Sequence, residues 1–329
     1  MIISKTPFRI SFFGGGTDYP VWIKDHGGAV LGTTIDKYAY ITCRFLPPFF
    51  KHKYRIVYSQ MENVKSINDI DHPSVRECIR FSKIHSELEI HHDSDLPARS
   101  GLGSSSTFTV GLLNCLNSLK GEYSSKEKLA KDAIHVEQNL IGENVGCQDQ
   151  IHAAFGGLNH IEFFQDGSFN VNPVILKNKT IKELQDYCML FFTGFSRFAS
   201  EIASEQISET PNKVKDISEM RQMVDVALDL INDENFNIND FGQLLHENWK
   251  LKRSLTSKIS NNSINQIYQT AMKTGVLGGK LLGAGGGGFI LFIVAPEFHD
   301  LIKDKFKNLL YVPFKFDNTG STIIFHQPT

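Results

Sequence analysis

LPARSGLGSSSTF, Leu96 to Phe108, is a segment almost without side chains that turns apolar at its end. Two glycines and four serines fall between Ser100 and Ser106. Beyond them Phe108, Leu112, Leu116 and Leu119 recur at spacings of four and three, which predicts a helix with one face on a core. The glycine loop therefore runs straight into a helix start. Glycine lets backbone approach a ligand closely, and the free N–H groups of a first helical turn, with the helix dipole, favour an anion. The hydroxyls of Ser104, Ser105 and Ser106 can cap the helix, donate to phosphate oxygens or ligate a hard cation such as Mg2+. Alone, the loop supports two readings: a phosphate cradle, or a helix capped by Ser104.

Two further clusters weigh on the choice: FFGGGTDYP at Phe12–Pro20 and GKLLGAGGGGF at Gly279–Phe289. One cluster is a turn; three call for another explanation. No cluster supplies the lysine and Ser/Thr that a Walker A loop needs. Gly283, Gly285 and Gly288 match GxGxxG, but FILFIVA follows, a strand where the dinucleotide fingerprint demands a helix. Glu137 shares a helical stripe with Ala130, Ala133, Ile134 and Ile141, so its carboxylate needs a cation there, either Mg2+ or an arginine. Asp149, in GCQDQIHAAFGG, reads as a helix cap or as an acid that orients or deprotonates a hydroxyl. His91, His92 and His152 lack metal-ligand spacing and read as surface or loop residues. GLGSSS lacks the GxSxG elbow of a serine hydrolase.

The 329 residues, 41% hydrophobic and 21% charged, suit a globular protein with a substantial core. A net charge of −2 gives no general attraction to nucleic acid or anionic lipid. The five cysteines stand apart without a CxxC pair, which fits free thiols. No signal peptide is legible at the N-terminus, and FILFIVA is too short to span a bilayer, so a cytoplasmic protein with no membrane partner is expected.

RISFF, YAYITCRF and KYRIVYS read as strands. A second helix is expected from Ser124, where Glu127 completes a capping box, to about Ile141. After residue 175 come a buried strand, YCMLFFTGF, three helical stretches, the strands GFILFIVA, YVPFKF and STIIFHQ, and a helix over Phe298–Leu310. The reading is an α+β protein of two lobes, 1–175 and 176–329, parted near VNPVILKNKTIKE.

TPFRISFFGGGTDYP, LPARSGLGSSSTF and KLLGAGGGGFILF, in this order and spacing, resemble the three motifs of the GHMP kinases, a family that includes galactokinase, homoserine kinase and mevalonate kinase. With VGCQDQIHAAFGGLN and TGFSRFASEIASEQ, the chain is most similar to the bacterial heptose 7-phosphate kinases of that family, with L-fucokinase as a near relation. The resemblance implies a ribosomal S5 domain 2-like N-terminal lobe and a ferredoxin-like C-terminal lobe, with ATP and sugar in the cleft between. It implies that Gly101, Leu102, Gly103, Ser104, Ser105 and Ser106 hold the nucleotide phosphates, that Ser105 and Glu137 hold Mg2+, and that Asp149 acts on the sugar hydroxyl beside Arg9. Gly16, Thr17, Asp18, Gly285 and Gly286 would contact substrate. Many relatives carry alanine where Ser106 stands.

The implied reaction is ATP-dependent phosphorylation of the anomeric hydroxyl of D-glycero-D-manno-heptose 7-phosphate. Asp149→Ala is expected to fold normally and lose activity. Arg197, with Ser196, is a candidate for the 7-phosphate, with a surface arginine as the alternative. A kinase for a free sugar such as L-fucose, and a catalytically silent sugar-phosphate sensor, are the competing expectations. Oligomeric state stays open.

Overall fold

A computed structural model describes residues 1–194 and 199–327. Its strands are β1 (Ile2–Phe13), β2 (Gly28–Phe45), β3 (Tyr54–Val57), β4 (Met61–Val64), β5 (Leu88–Ser94), β6 (Leu158–Phe163), β7 (Phe169–Pro173), β8 (Cys188–Phe192), β9 (Gly278–Leu281), β10 (Phe289–Ile293), β11 (Leu310–Tyr311), β12 (Phe316–Asp317) and β13 (Thr322–His326). The helices are α1 (Pro20–His26), α2 (Pro73–Ser82), α3 (Ser104–Leu119), α4 (Lys126–His135), α5 (Gln148–Phe155), α6 (Asn178–Asp186), α7 (Ala199–Glu209), α8 (Val214–Asn232), α9 (Ile238–Leu255), α10 (Asn262–Lys273) and α11 (His299–Lys305).

The long strand β2 is the spine of the first sheet. One edge runs antiparallel to β1; along the other, residues 28–33 pair with β6 and 39–45 with β5. Pro7 has no N–H to give the ladder, and the β1–β2 register shifts between Pro7 and Phe8. The bulge lies two residues before Arg9.

The second sheet is antiparallel, in the order β11-β8-β10-β9. Its inner strand β10 is buried on both faces, which is why FILFI is a continuous apolar run. Phe289, Leu291 and Ile293 pack in one core with Phe8, Ile10 and Phe12 of β1. Ile290 and Phe292 turn the other way, toward Trp249 and Tyr268. The two lobes thus share a core, in which Phe241 of α9 stands edge-on to Phe12 and Phe13 at 5.6 and 5.3 Å.

Several expectations need correction. A division at residue 175 does not hold for the last strands: β12 pairs with β2 and β13 with β1, so the chain's end closes the first sheet. The cap of α4 is Ser125, whose Oγ accepts from Lys128 N–H at 3.1 Å, while Ser124 instead accepts from the Asn117 amide. The helix then widens into a π-turn over Val136–Ile141. Four helices, α7 to α10, follow β8 rather than three, and YVPFKF is split between β11 in one sheet and β12 in the other. All five cysteines are free. Among the described residues no helix is long and apolar enough to cross a membrane.

Candidate active site

The loop Ser100–Gly103 is clamped from behind by the third glycine cluster. Phe289 N–H donates to Ser100 C=O at 3.0 Å, and a Cβ on Gly101 would stand 2.5 Å from Leu282 O. Arg9 N–H donates to the carbonyl of buried Leu102 at 3.2 Å, which ties the loop to β1. Gly103 occupies the cap position of α3 at φ +80°, in the left-handed region that a side chain disfavours. No side chain caps this helix. Ser104 is its first residue, not its cap, and its Oγ accepts from Arg99 N–H at 3.1 Å. The leading N–H groups of Ser104, Ser105 and Ser106 therefore remain for an anion.

Beside the loop, Arg9 and Asp149 form a forked pair. Nε and Nη2 of Arg9 each donate to Asp149 at 2.8 Å, and Nη1 donates to Gly101 C=O at 2.8 Å. Arg9 is 3% exposed and Asp149, at the first turn of α5, keeps 25% of its side chain open to the cavity. The position of a Cβ on Gly103 lies 3.3 Å from Asp149 Oδ2, so the acid abuts the loop.

Asp18 faces the same cavity from the first glycine cluster. It accepts from Gly16 N–H and from the Gln148 amide, both at 2.9 Å. Burial pushes its carboxyl above the usual range, with Asp149 adding to the rise against those hydrogen bonds. Thr17 is a correction. Its hydroxyl donates to Gly14 and Ala29 carbonyls (2.9 and 2.8 Å) and is wholly buried, so it holds the turn that presents Asp18 and has no access to a sugar. Gly285 and Gly286 are corrected likewise: a Cβ on Gly285 would meet the Ile259 backbone, and Gly286 N–H donates to Ile259 C=O. Gly283 and Ala284 line the cavity instead. Ser196 and Arg197 lie outside the described residues.

The π-turn sets Glu137 beneath the loop, fully buried. It accepts hydroxyls from Ser106 (2.7 Å), Thr109 (2.8 Å) and Ser105 (3.4 Å), and the Gln150 amide. Ser106 thus steadies the acid. A hydroxyl and a carboxylate are hard oxygen donors that suit Mg2+. Ser105 is exposed at the cavity while Glu137 backs it, and Glu143 stands nearby on the cavity wall. No group of three or more His, Cys, Asp or Glu able to hold a metal exists among the described residues.

Burial pushes the Glu137 carboxyl up to about 7. An acid whose pKa rises on folding binds more protons when folded, so its contribution costs stability as pH climbs from about 4.5 to about 7. Glu137→Gln removes that cost, on the order of 3 kcal/mol at alkaline pH. The expected result is that thermal melts of the free variant flatten between pH 5 and 8 relative to wild type. An unchanged pH dependence would show that Glu137 does not titrate in this window.

Two joined cavities meet at Ser104, Ser105, Arg99 and Glu143. The first, about 330 Å3, holds Arg9, Asp18 and Asp149. The second, about 900 Å3, has a wall of Tyr58, His72, His92 and Phe108. The His72 and His92 rings lie 4.9 and 4.8 Å from the Phe108 ring, an aromatic surface suited to a planar base. The histidine expectation fails at two positions. Burial holds His92 and His152 down to about 4, and His152 is fully enclosed in α5, with Nδ1–H donating to Gln148 C=O. The sequence reading also missed Ser11, Gln148, Gln206 and Lys252 of the first cavity. None lies in a glycine cluster; Gln148 and Gln206 fall within VGCQDQIHAAFGGLN and TGFSRFASEIASEQ without a role assigned to them, and Lys252 comes from a helix whose pattern signals only amphipathic packing.

Residues 74–157 match the family model "GHMP kinases N terminal domain" and residues 227–311 match "GHMP kinases C terminal". A D-glycero-alpha-D-manno-heptose 7-phosphate kinase of Campylobacter jejuni is 32% identical over 97% of both chains. A galactokinase of Thermotoga neapolitana is 22% identical over 96% of this chain and 95% of its own. Among solved structures, a D-glycero-D-manno-heptose 1-phosphate kinase of Bacteroides thetaiotaomicron superposes at a TM-score of 0.81 and 24% identity, over 99% of this chain and all of that one. With three glycine motifs around an Arg–Asp pair and full-length likeness to a curated member, the chain belongs to the GHMP kinases and is a phosphotransferase acting on a sugar hydroxyl.

Proposed function

We propose that the chain transfers the γ-phosphoryl group of ATP, with Mg2+, to the anomeric hydroxyl of D-glycero-D-manno-heptose 7-phosphate, giving the 1,7-bisphosphate for nucleotide-heptose synthesis. The observation that carries the reading is the Asp149 carboxylate, part-exposed in the cavity and abutting Gly103 of the loop. An acceptor hydroxyl resting on Asp149 is thereby adjacent to an anion held at the start of α3. The Campylobacter relative supports the choice of acceptor.

In this reading the N–H groups of Ser104–Ser106 bind the nucleotide's phosphates and the aromatic wall takes its base. Asp149 orients the hydroxyl and accepts its proton as the bond to phosphorus forms. Arg9 fixes the rotamer of Asp149 and adds positive charge beside the transferring group. Ser105 and Glu137 would hold Mg2+, which neutralises charge on the phosphates when bound.

The test is ADP release with ATP and Mg2+ across heptose 7-phosphate, mannose, L-fucose, galactose and mevalonate. Turnover on the heptose phosphate alone is expected. Turnover on a free sugar instead would keep the family and discard this substrate. ATP binding with silence across the panel would point to a sensor.

A further inference from the structure

In the first cavity, three buried polar groups from separate elements, two of them without a hydrogen-bond partner, face the turn at Gly15 and Gly16. Lys252 of α9 is 5% exposed, and its Nζ makes one hydrogen bond, to Gly283 C=O at 2.5 Å. It forms no ion pair among the described residues. Gln206 of α7 is 2% exposed, and its amide nitrogen, set against Gly16, has no hydrogen-bond partner. Ser11 of β1 is 5% exposed with an unpartnered hydroxyl. The point where a Cβ on Gly15 would stand lies 3.6 Å from Ser11 Oγ, 3.7 Å from Gln148 Nε2 and 3.9 Å from Lys252 Nζ. The missing side chains of Gly15 and Gly16 thus leave a concavity onto which these donors converge.

Burying an ammonium without a carboxylate costs stability, and burial holds Lys252 down to about 8. Its neighbours repay that cost only in part. Arg9 and Asp149 neutralise one another in their forked pair, while Asp18 attracts Lys252 through the cavity without forming an ion pair, its oxygens taken by Gly16 N–H and the Gln148 amide. What remains over Gly15 and Gly16 is an ammonium without a contact carboxylate, beside the Ser11 hydroxyl and the Gln206 N–H. That set matches an anion with several acceptor oxygens. A neutral sugar would leave the charge unpaired.

We infer that Lys252, with the Gln206 amide and the Ser11 hydroxyl, binds the phosphate already carried by the acceptor sugar, so that these residues select a sugar phosphate over a free sugar. The inference rests on the reading of the chain as a sugar-phosphate kinase. The unpartnered Oε1 of Gln148, also in this cavity, remains for a sugar hydroxyl. The nucleotide's phosphates have their own donors at the start of α3. A transferring phosphoryl is the second possible source of the anion, and the experiment separates the two.

The experiment titrates three ligands by calorimetry: heptose 7-phosphate and the same heptose without phosphate, each with a non-hydrolysable ATP analogue and Mg2+ present, and the analogue with Mg2+ alone. Lys252→Met keeps the apolar stem. It should weaken the sugar phosphate by about 10- to 100-fold, the range for a hydrogen bond to a charged group, while the free sugar and the nucleotide each change by less than about 3-fold. Lys252→Arg should recover part of the loss.

Gly15→Ala is the second variant. Gly15 lies outside the left-handed region and an added Cβ meets nothing closer than 3.6 Å, so the protein should melt as wild type yet lose affinity for the sugar phosphate. Equal weakening of both sugars by Lys252→Met, or weakening of the nucleotide alone, would overturn the inference. A wild-type protein that binds the free sugar and not its phosphate would overturn the substrate reading itself. Full affinity for the sugar phosphate in both variants would overturn the inference and leave the substrate reading intact.

Discussion

Asp149→Asn is expected to lower kcat by about 10²- to 10⁴-fold while the KM for ATP changes little. The amide still reaches a hydroxyl but cannot take its proton, so the loss belongs to the chemical step. The choice of asparagine matters. Arg9 is 3% exposed and spends two of its donors on Asp149. Removing the acid altogether leaves a buried guanidinium without its counter-charge, a change that costs about 3–5 kcal/mol in buried pairs, less here because Asp149 is part-exposed.

The expectation that Asp149→Ala folds normally is therefore revised: it should lose both activity and several degrees of melting temperature. Asn retains one polar contact to Arg9 and separates the two effects. Rapid-quench measurement of the first turnover, with a thermal melt on the same sample, checks both. A near-wild-type first turnover in Asp149→Asn would remove the acid from the mechanism.

Gly288→Ala should disable the site from a distance. Gly288 has φ +95°, and a Cβ there would overlap the carbonyl oxygen of Ser100, which the next residue, Phe289, uses as its hydrogen-bond acceptor. The left-handed backbone costs a side chain about 1–2 kcal/mol, and displacing main chain adds to it. The expected outcome is a midpoint lowered by about 5 °C or more, with nucleotide affinity lost in step because the Ser100–Gly103 loop rests on this contact. Differential scanning calorimetry with and without ATP analogue reads both. A stable variant with weak nucleotide binding would still support the loop linkage; a stable variant with normal binding would refute it.

The kinase fold was legible through the resemblance of the three glycine motifs to the GHMP kinases; local patterns alone reach an α+β protein of two lobes. LPARSGLGSSSTF announces a loop that opens a helix, and the FILFI run announces a strand buried on both faces; β10 is buried throughout, as that pattern requires. The shared core was not legible. Nothing in the one-dimensional pattern says that Phe241 closes on Phe12 and Phe13, or that Thr322–His326 returns to pair with β1. Strand pairing between residues more than three hundred positions apart depends on closure of the whole chain, and local propensity carries no record of it.

The site divides along the same line. Sequence by itself offered the residue types that chemistry demands in the glycine loop with its serines, Glu137 and Asp149, which follow from what an anion, a cation and a hydroxyl require. Arg9 and Asp18 entered only through the resemblance to the GHMP kinases. Tertiary structure alone decided which of them reach the cavity. It put Thr17 to work inside a turn, faced Gly285 and Gly286 onto Ile259, and sank Glu137 under Ser105 and Ser106. It also brought Lys252 and Gln206 from separate helices to the glycines of the first motif. The physical reason is that a side chain's type sets what it can bind, while its exposure and its competing partners, set by distant segments, decide whether it is free to bind.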